Sequence, residues 1–145
     1  MKIVFYALFV ILNCFLIFKL TKIVTPKTAA ISYGSAMLIV PLLAFIAAGI
    51  VRGIHYIPSP FFLDIFKALL LSFFILILLN LMVLAAGAIV SKLNRFQETH
   101  NAVNLERNPV SFARNNVQTI ELAYKTIFFA LSLLMLYGVW FGEKK

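Results

Sequence analysis

The chain has 145 residues, 63% hydrophobic and only 12% charged, with mean hydropathy +1.00. Soluble domains are about 45–50% apolar and about 25% charged, so this composition excludes an ordinary water-soluble domain, and the length suits one membrane domain. The net charge of +8 does not indicate a nucleic-acid partner, because the 13 Lys and Arg are scattered between apolar blocks without an Arg-rich run or an aromatic-interleaved basic patch; it suits topology setting and contact with anionic lipid headgroups.

A membrane core takes about 20 apolar helical residues, and four stretches qualify: roughly 3–20, 29–51, 61–90 and 120–141. None alternates as a barrel strand would, so the predicted class is an all-α membrane protein with four transmembrane helices in an antiparallel bundle. The first stretch, "IVFYALFVILNCFLIF", starts after a short basic end like a signal peptide. Its length, its bulky aromatics and the lack of a small-x-small cleavage site make it a retained span. Cys14 lies within it and, as a lone cysteine, offers neither an internal disulfide nor a multi-cysteine metal site. Asn13 puts one amide near the middle of this span.

The second stretch is rich in small residues four apart: Ala30/Gly34, Ser32/Ala36, Ala44/Ala48 and Gly49/Gly53. Such pairs let helix backbones approach closely, which makes Gly34, Ala44, Ala48 and Gly49 packing positions and predicts a central helix or an oligomer interface. Pro41 is expected to kink it. The third stretch places Asn80 near mid-membrane, where an amide seeks a partner on another helix; contact with Asn13, or self-association through either, is expected.

Three helix starts share one punctuation. Thr25-Pro26, Ser59-Pro60 and Asn108-Pro109 each pair an N-cap residue with proline at the first helical position. The third helix then runs from Pro60 to about His100, about 60 Å at 1.5 Å per residue, and the fourth from Pro109 to about Phe141. Both exceed a span and are expected to project from one membrane face as a hairpin turning in "THNAVNLERNP". Counting Lys and Arg by side puts that hairpin in the cytoplasm and both termini outside, in a bacterial-type cytoplasmic membrane or its organellar counterpart. Tyr137 and Trp140 suit an aromatic belt at the outer interface.

The root of the fourth helix carries the polar residues that bear most directly on function. Arg114, Gln118, Glu121 and Lys125, with Ser111 and Ser132, recur at steps of three, four or seven and fall on one face, while Val117 and Tyr124 are expected elsewhere. Glu121 precedes Lys125 by four residues, the favourable order for a helical ion pair. The stripe suits an interfacial helix root with a snorkelling lysine, or a polar seam facing a partner, a pore vestibule or a headgroup. "RNNVQTIE", Arg114 to Glu121, resembles the Arg-x-x-x-Asn-x-x-Glu pattern of the MAPEG membrane glutathione and eicosanoid enzymes, which are also basic four-helix chains. The resemblance implies glutathione as cofactor. It covers eight residues, has Gln118 in place of asparagine, and stands before the fourth span rather than the second.

His55 and His100 fall in connections on opposite predicted faces, so the sequence presents no metal site, and it presents no nucleophile triad. The resulting expectation is a small subunit or oligomeric assembly element, docking through its cytoplasmic hairpin on copies of itself or on other membrane subunits. Two alternatives stand beside it. One is an oligomeric conduit lined by Asn13, Asn80, Ser32, Ser35 and the Arg114–Lys125 stripe. The other is an interfacial enzyme of lipid or glutathione using Arg114, Gln118 and Glu121.

Overall fold

The computed structural model describes residues 1–20, 23–53, 59–100 and 110–142, and every extended element among them is helical. They are α1 (Lys2–Phe15), which ends in a π turn (Leu16–Leu20), α2 (Pro26–Gly53), α3 (Pro60–His100), the short α4 (Val110–Asn115) and α5 (Val117–Phe141). Four of these, α1 with its π turn, α2, α3 and α5, are long and apolar enough to cross a membrane. Residues 101–109, where the sequence places a turn and the Asn108-Pro109 pair, and His55 and the two C-terminal lysines lie outside the described residues.

Local chemistry fixes the two proline-marked starts. Thr25 Oγ1 accepts from the Thr28 N–H at 3.3 Å, and Ser59 Oγ accepts from the Phe62 N–H at 3.3 Å. Each hydroxyl satisfies an orphan donor of the first turn, while the adjacent proline has none to satisfy. α2 continues through Pro41 to Gly53, although proline leaves the carbonyl four residues earlier without its usual donor. The π turn closing α1 has a packing consequence. Phe9, Asn13 and Ile17 are all buried, four residues apart, a spacing that drifts about 40° per step on an α-helix. The wider i→i+5 closure at Leu16–Leu20 turns less per residue and keeps Ile17 in line with the other two.

The helix expected to run unbroken from Pro109 is interrupted at Asn116, which has φ −115° and ψ 24°. Its side-chain Nδ2 donates to the Phe112 carbonyl at 2.9 Å, the same oxygen that its backbone N–H reaches at 3.1 Å. An amide side chain bonding back to the i−4 carbonyl competes with regular helix geometry, and the axis is reset before Val117.

The helices neighbour one another in the order α1, α5, α3, α2. The core lies among α1, α3 and α5: Phe9, Ile75, Leu76, Leu79, Leu136 and Trp140 form one buried cluster. Trp140 is its largest member and faces inward rather than toward an interfacial belt. It stacks on Phe5 at 5.4 Å between centroids, lies 6.3 Å from Phe9, and donates its Nε1–H to Ser72 Oγ at 2.9 Å. α2 is not central. It packs along α3, buries Ala29 and no residue of its most apolar stretch, and leaves Leu38, Leu42, Phe45 and Ile50 exposed.

Ser72 and Trp140 yield a stability prediction. Trp140→Phe keeps the ring but removes the donor, at a cost of about 1–2 kcal/mol; Trp140→Ala also empties the core and costs about 3–5 kcal/mol. Reversible unfolding in mixed detergent micelles measures both, and equal losses for the two variants would contradict this packing.

Candidate functional site

Two polar constellations and one exposed helix face emerge from this arrangement. The first is a cleft of about 790 Å³ between the late turns of α3 and the start of α5, closed on one side by Pro26 of α2. Val83, Leu84, Gly87 and Ala88 supply apolar walls, while Lys92, Arg95 and Glu98 on α3 and Glu121, Tyr124 and Lys125 on α5 supply charge and hydroxyl. Gly87 is a fitted position, since a Cβ there would stand 3.0 Å from the Tyr124 hydroxyl oxygen. Lys125 is buried, its ammonium 2.5 Å from Glu121 Oε1, and Glu121 is about half exposed. A buried ammonium is held charged only with a close acceptor, and the i, i+4 spacing on α5 supplies one.

The second constellation is a hydrogen-bonded chain through the core. Asn80 Nδ2 on α3 donates to its own helix at Leu76 O, 2.8 Å, and to Asn13 Oδ1 on α1, 3.0 Å. Asn13 Nδ2 donates to Ser132 Oγ on α5 at 2.5 Å, and Ser132 Oγ donates to Phe129 O at 2.6 Å. All three side chains are fully enclosed. Three helices are thereby linked at one level, and Asn80 Oδ1 is left buried without a hydrogen-bond partner.

The stripe at the root of the fourth span divides between Gln118 and Glu121, within α5. Arg114 on α4 and Gln118 on α5 are exposed and stand outside the cleft, whereas Glu121 and Lys125 line it. Val117 and Tyr124, expected on another face, line it too, because a helix wall one residue wide on a wheel is several residues wide against a neighbour. On α2, Gly34 and Gly49 have nothing within 4 Å of where a Cβ would sit, and Ala48 is exposed with Ala44 half-buried. Ser32 and Ser35 lie on exposed α2 surface, apart from the enclosed Asn13 and Asn80. In the sequence Lys92 and Arg95 register only as topogenic charge and Glu98 carries no reading, though their steps of three residues put all three on one helix face. Ser132 was placed on the stripe without its partner on α1.

Two predictions follow from these contacts. Asn13→Leu and Asn80→Leu should each destabilise by about 1 kcal/mol, with a coupling of about 0.5–1.5 kcal/mol in a double-mutant cycle; additive losses would deny the bond. At the ion pair the two substitutions should be unequal. Glu121→Gln removes the carboxylate that neutralises a buried ammonium and should cost about 1–3 kcal/mol, the upper limit lowered by the exposure of Glu121. Lys125→Met leaves a carboxylate that reaches solvent or headgroups and should be close to neutral. Unfolding free energies of the two variants check the order.

No protein-family model, curated protein or solved structure matches the chain, and the cleft, the amide chain and the open face of α2 are what carry a functional reading.

Proposed function

We propose that the protein is an integral-membrane assembly element, associating through α2 with a second copy of itself. The carrying observation is the state of α2: a full-length apolar helix that packs mainly on α3 among the described residues, with no buried residue in its most apolar stretch. Along it Gly34, Ala44, Ala48 and Gly49 offer close backbone approach, and among the described residues no other part of the structure comes within 4 Å of where a Cβ on either glycine would sit. Association of helices in lipid rests on such close van der Waals packing rather than on a hydrophobic difference, and a small-residue face is self-complementary, as a two-fold contact requires.

In this reading the helices form an antiparallel bundle, with the far end of α3 and the root of α5 in the cytoplasm and both termini outside. The pairing of Ser72 with Trp140 and of Gly87 with Tyr124, opposite in sequence direction, supports the first part. The Lys and Arg count supports the second. The cytoplasmic end, with exposed Arg114 and Gln118, is then available for docking further subunits.

Native mass spectrometry in mild detergent tests the association. Wild type should give a dimer or higher homo-oligomer, and Ala48→Leu with Gly49→Leu should weaken it at least about tenfold, equivalent to about 1.4 kcal/mol, with helicity unchanged because both positions are exposed. A monomer would end the proposal, and stoichiometric foreign subunits would make the chain an accessory of a larger complex. Orientation is read separately in a Cys14→Ser background: Lys2→Cys should react with an impermeant maleimide added outside intact cells, and Lys92→Cys should not.

A further inference from the structure

The cleft between α3 and α5 is built differently from both the core and the α2 face, and it stands independently of the assembly reading. Its volume, about 790 Å³, falls in the range of about 300–1,000 Å³ usual for small-molecule sites. Polarity is graded along it. Val83 ends the buried run of α3 and Leu84 and Gly87 are half-buried beside it, while Lys92 and Arg95 lie about one and a half to three turns further along the same helix and are exposed. Such a gradient from hydrocarbon-facing wall to cationic rim matches an amphiphile lying across the edge of a membrane.

Charge then selects among amphiphiles. The lining holds three cations, Lys92, Arg95 and Lys125, against two carboxylates, Glu98 and Glu121. The buried pair Lys125–Glu121 is internally neutral, and among the described residues neither Lys92 nor Arg95 makes an ion pair. One positive charge is left over, which a single phosphodiester neutralises. Arginine and lysine both suit phosphate oxygens, arginine by paired donors and lysine as a point charge. The Tyr124 hydroxyl, brought against α3 by the missing side chain of Gly87, adds a neutral donor between rim and wall.

We infer that this cleft is a binding site for an anionic phospholipid, its phosphodiester held by Lys92 and Arg95 and one acyl chain lying along Val83, Leu84 and Gly87. The ion pair of Lys125 with Glu121 acts as a positioning element, fixing the α5 wall without competing for the phosphate. Bound lipid fills the space where α3 and α5 diverge and joins the two helices.

The test is native mass spectrometry of the full chain released from bilayers of equal phosphatidylglycerol and phosphatidylcholine. Wild type should retain one phosphatidylglycerol in preference to phosphatidylcholine. The double variant Lys92→Gln/Arg95→Gln should lose that retention about ten- to thirtyfold, given about 1 kcal/mol per basic residue facing anionic lipid. Lys2→Gln/Lys67→Gln, which removes the same charge from exposed positions outside the cleft, should leave retention unchanged. Gly87→Leu, read beside the charge variants so that a folding defect cannot decide the matter, should reduce it by filling the apolar wall. Equal loss in the two charge variants would overturn the site in favour of diffuse electrostatics. Equal retention of both lipids, which share the phosphodiester and differ in net headgroup charge, would overturn the assignment to an anionic phospholipid. Displacement of the lipid by free glycerol 3-phosphate at matched concentration would show a soluble phosphate site and overturn the lipid assignment.

Discussion

Where water is absent, a polar side chain must find its partners within the protein, and the chain from Asn80 through Asn13 to Ser132 meets that constraint for every link but Asn80 Oδ1. Each link uses a donor from one helix and an acceptor from another, and the last is returned to backbone at Phe129. The apolar contacts around it are permissive, since Leu against Leu differs little from Leu against lipid. The amides are not. They set the height of α1, α3 and α5 relative to one another, and once that height is set Trp140 meets Ser72 on one side of the chain and Tyr124 meets Gly87 on the other.

Burial is consequently concentrated in three helices. α3 buries nearly half of its most apolar stretch, whereas α2 buries none of its own. The π turn after Phe15 belongs to the same logic, keeping Ile17 in line with Asn13 and Phe9 so that α1 offers one continuous edge to its neighbours. α2 lacks a central polar anchor of this kind, and Ala48 and Gly49 among its small residues are exposed, which leaves that part of its surface open to association.

The far end of the α3/α5 pair obeys a different balance. Charge gathers here on exposed Lys92, Arg95 and Glu98, yet Lys125 is enclosed and is paired with Glu121. Asn116 interrupts the helix just before this point, its side chain bonding to Phe112, and beyond it Gln118 is exposed like Arg114 while Glu121 and Lys125 line the cleft. A polar stripe that is continuous on paper is therefore two surfaces in space, one outward and one inward.

The amino-acid sequence by itself determined the class, the four apolar helices and the two capped starts at Pro26 and Pro60, because hydrocarbon thickness, proline geometry and hydroxyl capping act within a few residues. It also marked Asn13 and Asn80 as side chains in need of partners. What it could not carry was direction. In a membrane both the interior and the lipid-facing surfaces are apolar, so periodicity does not say which face of a helix is inside, and α2 could be read as central when it is peripheral. Small residues permit close approach without naming the neighbour. The cleft needed the tertiary structure for the same reason: Lys92 and Arg95 meet Glu121 and Lys125 across about thirty residues of chain only through the helix heights that the buried amides impose.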